Sequence, residues 1–143
     1  METTIIKVIH LQRLEMFEDI PSDQLAQIAD ISREVYFDEN EVIYEAADTA
    51  NSMFILLDGE VKITREGVMT RKIGKDEAFG IWGCFDQSPR LYTARSLKNS
   101  YLLKIDSNEF FDLIEDRIHV SRGLIKFLVK KIRRLVKAGN HLV

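Results

Sequence analysis

The chain has 143 residues, 45% of them hydrophobic and 30% charged, with only two prolines, a composition that excludes a disordered chain and fits one globular domain (1–143) with a single buried core. Cys84 is the only cysteine, which excludes an internal disulfide and zinc sites built on several thiolates, so a reducing, cytoplasmic setting is expected. The formal charge of −3 hides an asymmetry: seven of the 20 Lys and Arg residues lie from Ile118 onward, where there is no Asp or Glu, leaving 13 against all 23 acidic side chains in the first 117 residues. An acidic body opposes nonspecific binding to a phosphate backbone, while the basic tail suits an acidic partner, this same acidic body, or simply solvent.

In chain order, Ile5, Ile6, Ile9, Leu14 and Phe17 have helical spacing over residues 4–17, and Lys7 and His10 interrupt any signal-peptide core. No window supplies the roughly 20 apolar residues of a transmembrane helix. Pro21, Ser22 and Asp23 form a helix start, and Leu25, Ile28 and Ala29 carry that helix to about Ile31, which closes an N-terminal helical region, 1–33.

From Glu34 the period changes to two, and segments such as EVYF, EVIY, MFILLD, EVKITR, VMTRKI, YTARSL and SYLLKI predict seven or eight short strands over 34–105. Asp58-Gly59 reads as a type I′ hairpin turn, Glu66-Gly67 as a second tight turn, and Asn40 as a residue able to take a left-handed conformation. The pattern predicts an antiparallel sandwich or jelly-roll barrel. Helical spacing returns over 106–138: DSNEFFDLIED, with Asp106 and Glu109 placed for a capping box, then a longer helix from about Val120 to Lys137. Its apolar stripe, Leu124, Leu128, Ile132 and Leu135, suits packing on its own domain and also pairing of two copies into a homodimer.

Catalysis and metal binding find little support. His10, His119 and His141 are scattered, the carboxylates sit mostly at turns and helix starts, and no phosphate-binding glycine motif of the nucleotide hydrolases or dehydrogenases is present. The segment FGIWGCFDQSPRLYTA, residues 79–94, is the exception. Phe79-Gly80 ends a strand, Gly83 permits close backbone approach, a short helical turn through Asp86 would point N–H groups at an anion, and the planar fork of Arg90 suits two phosphate oxygens. The competing reading is an ordinary loop in which Pro89 sets a turn and Arg90 pairs with a surface carboxylate.

The order MFEDIPSDQLAQIA, MFILLDGEVKI, AFG, SPRLYTA and LLKIDSNEFFDLI, from about Phe17 to Leu135, resembles the cyclic nucleotide-binding domain family. That resemblance implies a mainly β fold, an eight-stranded antiparallel β-roll with N-terminal helices and two C-terminal helices. It also implies a non-enzymatic regulatory role with no cofactor, the ligand being cAMP or cGMP. The phosphate-binding loop falls at 79–90. Carried over by position, Arg90 matches the phosphate-binding arginine and Gly80 the glycine after the strand, while Gly83 and Cys84 fall where backbone amides face the phosphate. Leu91 stands where the family usually has Ala, Ser or Thr, and Thr93 matches a small polar residue of the next strand.

The largest departure is Ile81, at the place of a glutamate that in the family accepts a hydrogen bond from the ribose 2′-hydroxyl. Losing that acceptor predicts affinity lower by about one to two powers of ten. Trp82 reads as a core or lid aromatic, and Phe127 and Lys130 as candidates to cover the base. The chain stops at Val143 without a helix-turn-helix, so direct DNA binding by it is not expected, and attachment to a larger effector is. The alternative expectation is a degenerate fold that no longer binds cyclic nucleotides and serves as an interaction or dimerisation module.

Overall fold

In the computed structural model, which describes residues 2–139, helices at both ends enclose eight antiparallel strands. Helix α1 (Thr4–Gln12) begins at Thr3, whose hydroxyl accepts the Ile6 amide, and the helical stretch expected to reach Phe17 instead breaks into a short 3-10 helix, Glu15–Phe17. Helix α2 (Ser22–Ile31) follows Pro21 and ends where the periodicity places its end.

Strands β1 (Ser32–Phe37), β2 (Val42–Tyr44), β3 (Ser52–Asp58), β4 (Val61–Arg65), β5 (Val68–Ile73), β6 (Ala78–Phe79), β7 (Thr93–Ser96) and β8 (Ser100–Asp106) form two four-stranded sheets. Their orders are β1-β8-β3-β6 and β2-β7-β4-β5. Short helix α3 (Ile81–Asp86) interrupts the strands, and α4 (Ser107–Asp116) and α5 (Ile118–Lys137) close the chain.

The run SMFILLD is buried almost throughout because its two faces enter different cores. Successive side chains of a strand point to opposite faces, so Met53, Ile55 and Leu57 join the helix-facing core with Phe17, Leu25, Ile28, Phe110 and Leu124. Phe54 and Leu56 face the opposing sheet with Val61, Ile63, Ile73 and Phe79. Strand β8 divides the same way, Leu103 and Ile105 toward the helices and Leu102 between the sheets.

Two turns exchange the roles read from the sequence. Glu66 and Gly67, with φ of 52° and 79°, have the two positive φ angles that a type I′ turn requires, and they join the paired strands β4 and β5. Asp58-Gly59 does not make such a hairpin: β3 and β4 lie in different sheets, and only Gly59 has positive φ (111°). Asn40 takes the left-handed conformation at φ 68°. The expected capping box also fails to form, since Asp106 makes no side-chain cap on α4 and its carboxylate lies 3.4 Å from Arg33.

The basic residues of α5 meet the acidic N-terminal region of the same chain. Lys130 holds Glu18 and Asp19, each at 2.7 Å, and Glu15 takes Lys131 and Arg134. Gly123 lets α5 close on this region, because a Cβ there would run into Ile20 and the Asp19 carbonyl. The buried face of α5 is Val120, Gly123, Leu124 and Phe127, rather than the full stripe read from the sequence: Ile132 and Leu135 are exposed, as are Ile125, Val129 and Val136.

Asp76, only 12% exposed, is held by His10 Nδ1 and by the Arg13 guanidinium at 2.6 Å each and ties α1 to the loop before β6. Burial alone would raise the Asp76 pKa, but the hydrogen bonds from Arg13 and His10 outweigh it and hold the value below the ordinary 3.8. A carboxylate depressed in the folded state contributes stability above its unfolded pKa and loses it as pH falls through the folded value. Asp76→Asn, which keeps the left-handed backbone accessible at φ 60°, is therefore expected to cost about 1 kcal/mol at neutral pH. In urea unfolding the deficit should shrink as pH falls below the ordinary carboxylate value of 3.8 and through the lower folded one; a deficit independent of pH would assign the effect to packing.

Candidate functional site

Gly80 and Gly83 shape the loop from β6 into α3. Gly80 has φ +70°, which disfavours any side chain, and a Cβ on it would come within 2.7 Å of the Arg90 guanidinium. A Cβ on Gly83 would collide with Ala50 and lie 3.1 Å from the same guanidinium. The two glycines thus allow backbone and arginine to close on each other.

Arg90 is only 8% exposed. Its backbone is fixed by the Arg90 amide donating to the Asp48 carbonyl (2.8 Å) and the Ala47 amide donating to the Arg90 carbonyl (2.7 Å). The guanidinium donates to the carbonyls of Gly80 (3.0 Å) and Ser52 (2.6 Å) and lies over the Tyr44 ring, 4.0 Å from its centroid. Burial pulls the Arg90 pKa down, against the opposing influence of Tyr44, Cys84 and Asp48, yet arginine stays charged. With five N–H donors and two spent on carbonyls, the fork keeps donors for an anion.

Arg90 opens onto a cavity of about 760 Å³ whose wall includes Tyr44, Ile63, Gly80, Ile81, Trp82, Gly83, Leu91 and Phe127. Four cationic side chains line it: Arg13, Arg71, Arg90 and Lys131. Three of them have carboxylate partners, Arg13 with Asp76 at 2.6 Å, Arg71 with Glu77 at 2.5 Å and Lys131 with Glu15 at 3.7 Å. Among the described residues no ion pair involves Arg90, so the expected alternative of a surface pairing for it does not hold.

A buried cation with no carboxylate at ion-pair distance is costly unless an anion joins it. The cavity can therefore hold an anion at Arg90, with apolar surface from Ile81, Trp82, Leu91 and Phe127 for the rest of the ligand.

Of the residues singled out in the sequence, Gly80, Ile81, Gly83, Arg90 and Leu91 line this cavity. Cys84 and Thr93 do not. The Cys84 side chain is fully buried in the helix-facing core, where burial pushes its thiol pKa up, and the Thr93 hydroxyl accepts the Ala46 amide at 3.0 Å. Ile81 packs partly against the same core. Trp82, 53% exposed, stacks on Phe127 of α5, with centroids 6.1 Å apart and planes 12° from parallel, so the loop and α5 touch through two aromatic rings at the cavity wall. Lys130, read as a candidate to cover the base, is held away by Glu18 and Asp19.

Tyr44, Arg71, Glu77 and Lys131 join the site without having been singled out, since they come from β2, β5, the loop before β6 and α5, and no local motif links them. His10 is spent on Asp76 and His141 lies outside the described residues. Among the described residues no group of three or more His, Cys, Asp or Glu could hold a metal, and no helix is long and apolar enough to cross a membrane.

Comparison with known proteins places this architecture among others. A CRP-like cAMP-activated global transcriptional regulator of Mycobacterium tuberculosis is 23% identical over 87% of this chain, which spans 58% of that regulator's length. The potassium channel SKOR of Arabidopsis thaliana is also 23% identical, over 85% of this chain and 15% of the channel. The N-terminal domain of a transcriptional regulator from Streptomyces coelicolor superposes with a TM-score of 0.85 at 21% identity, covering 93% of this chain and 99% of that domain. The model of the cyclic nucleotide-binding domain matches residues 34–117, the strands, the arginine-bearing loop and α4 together, and the chain belongs to that family.

Proposed function

We propose that this is a non-enzymatic sensor domain that binds a cyclic nucleotide, cAMP or cGMP, through Arg90 and passes occupancy to α5. The observation that carries the reading is the buried Arg90 guanidinium, open to the cavity and lacking a carboxylate partner among the described residues. The ligand's phosphate supplies the missing negative charge and accepts the remaining N–H donors. The name of the M. tuberculosis relative, cAMP-activated, supports a cyclic nucleotide as the ligand. Ile81 offers the ribose no acceptor, so binding is weaker than a glutamate at that position would give. The Trp82–Phe127 stack links the loop to α5, and a ligand that displaces or tightens it biases the position of that helix.

Titration calorimetry with cAMP and cGMP, using the non-cyclic monophosphates as controls, tests this directly. Because Trp82 is the only tryptophan, its emission reports the same event at the cavity wall. Saturable heat selective for a cyclic form is the expected result, together with a change in Trp82 emission. Equal binding of the non-cyclic monophosphates would reduce the site to a general anion cradle.

A second reading rests on Ile125, Val129, Ile132 and Val136, exposed along α5. In that reading the domain is an interaction module that dimerises through α5 and binds no cyclic nucleotide. No heat up to millimolar ligand, with a dimer in sedimentation, would favour it.

A further inference from the structure

Of the cations in the cavity wall, Lys131 is the one most loosely held. Arg13 and Arg71 grip their carboxylates at 2.6 and 2.5 Å, and Arg90 is anchored to backbone carbonyls. The Lys131 ammonium lies 3.7 Å from Glu15, at the outer limit of an ion pair, with both side chains more than a third exposed. Its neighbour Lys130 has no such freedom, being fixed by two carboxylates at 2.7 Å each. Lys131 stands one helical turn beyond Phe127, with its ammonium 5.7 Å from that ring's centroid, and so belongs to the part of the cavity wall where the Trp82–Phe127 stack lies.

Glu15 has Arg134 as a second partner. If Lys131 swings away, Glu15 keeps a counter-charge and no buried carboxylate is stranded. Breaking this contact therefore costs little, whereas breaking the 2.6 Å Arg13–Asp76 pair would leave a carboxylate that is only 12% exposed with His10 as its one remaining partner among the described residues.

We infer that Lys131 is a second ligand-contacting cation and that Glu15 is its internal competitor. A ligand whose anionic group is held by Arg90, and whose other acceptor atoms reach the α5 side of the cavity, takes Lys131 from Glu15. The affinity of the domain is then set in part by a glutamate that itself need not touch the ligand. This inference rests on the cavity being the cyclic nucleotide site, and it adds a point of control at the junction of the N-terminal region and α5.

The test is a double-mutant cycle on the whole chain: wild type, Glu15→Gln, Lys131→Gln and the double variant, each titrated calorimetrically with cAMP and with cGMP at low salt. Glu15→Gln is expected to tighten binding about two- to fivefold and Lys131→Gln to weaken it by a similar factor. In the Lys131→Gln background the Glu15→Gln change should have no effect, and salt should compress the differences. Thermal melting checks that all four proteins fold. If Glu15→Gln acts equally in both backgrounds, the effect runs through Arg134 or general charge, and the inference is overturned. If wild type binds and neither variant differs from it, this inference alone fails. If none of the four proteins binds a cyclic nucleotide, the reading of the cavity fails and takes this inference with it.

Discussion

Arg90→Gln is expected to weaken cyclic nucleotide binding by about thirtyfold to several thousandfold, the 2–5 kcal/mol range for removing one partner of a buried, hydrogen-bonded charge pair. The guanidinium is the one cavity cation without a carboxylate among the described residues, and it is buried, so water cannot screen the ligand's charge well there.

The substitution should do little to the fold. The variant loses charge-assisted hydrogen bonds to the Gly80 and Ser52 carbonyls, at about 1.5–3 kcal/mol each, and glutamine can restore one of them. It also removes a buried charge whose desolvation opposes folding. The melting temperature without ligand should therefore stay near that of wild type, while the rise on adding ligand, present in wild type, should vanish. An Arg90→Lys variant separates charge from geometry, because an ammonium supplies the charge without the planar fork; it should recover only a small part of the lost affinity. Unchanged calorimetric affinity in Arg90→Gln would overturn the assignment of Arg90 as the anion anchor.

The sequence made the elements legible where the signal was local and left their partners hidden where it was not. The period-two alternation located the strands, and positive φ at Asn40, Gly59 and Gly67 falls where turn residues stood. Nothing in Asp58-Gly59 itself tells a hairpin from a crossing between sheets, since both bend the chain sharply; the difference lies in β3 pairing with β8 and β6 while β4 pairs with β5 and β7. A type I′ turn with glutamate at its first position, as at Glu66, was harder to foresee because only a minority of non-glycine residues adopt positive φ.

The site divides along the same line. The cradle of Gly80, Gly83 and Arg90 is nearly contiguous in sequence and could be read from it. Tyr44, placed under the guanidinium, and Lys131, brought in by α5, depend on the closure of the roll and the docking of its last helix. The expectation for Cys84 concerns its backbone amide, while its side chain goes elsewhere: a Cβ on Gly83, the third residue of α3, would face Arg90, and the side chain of the fourth, Cys84, enters the core, a division that spacing in a six-residue helix does not fix.

Ile81→Glu should tighten cAMP binding by about tenfold, near the lower end of the 1–3 kcal/mol that an unpartnered buried hydroxyl costs. Ile81 follows Gly80, whose carbonyl Arg90 holds, so a cyclic phosphate clasped by Arg90 brings its ribose close to this side chain. The 2′-hydroxyl is vicinal to the phosphate-bearing 3′-oxygen, and in that pose it would meet the sec-butyl side chain of Ile81 where an acceptor would serve it. Two effects limit the gain. Ile81 is partly packed against the helix-facing core, and that apolar contact is lost in the variant. A glutamate so close to Arg90 also has a buried cation to pair with before ligand arrives, which raises the cost of binding. The discriminating measurement is therefore the ratio of affinities for cAMP and 2′-deoxy-cAMP in each protein. Wild type should bind the two within a few-fold of one another, because it makes no use of the hydroxyl, whereas Ile81→Glu should prefer the ribose form by about tenfold or more. A wild type that strongly favours the ribose form would place another acceptor on the 2′-hydroxyl, and an Ile81→Glu protein with no preference would mean that the sugar does not lie over residue 81.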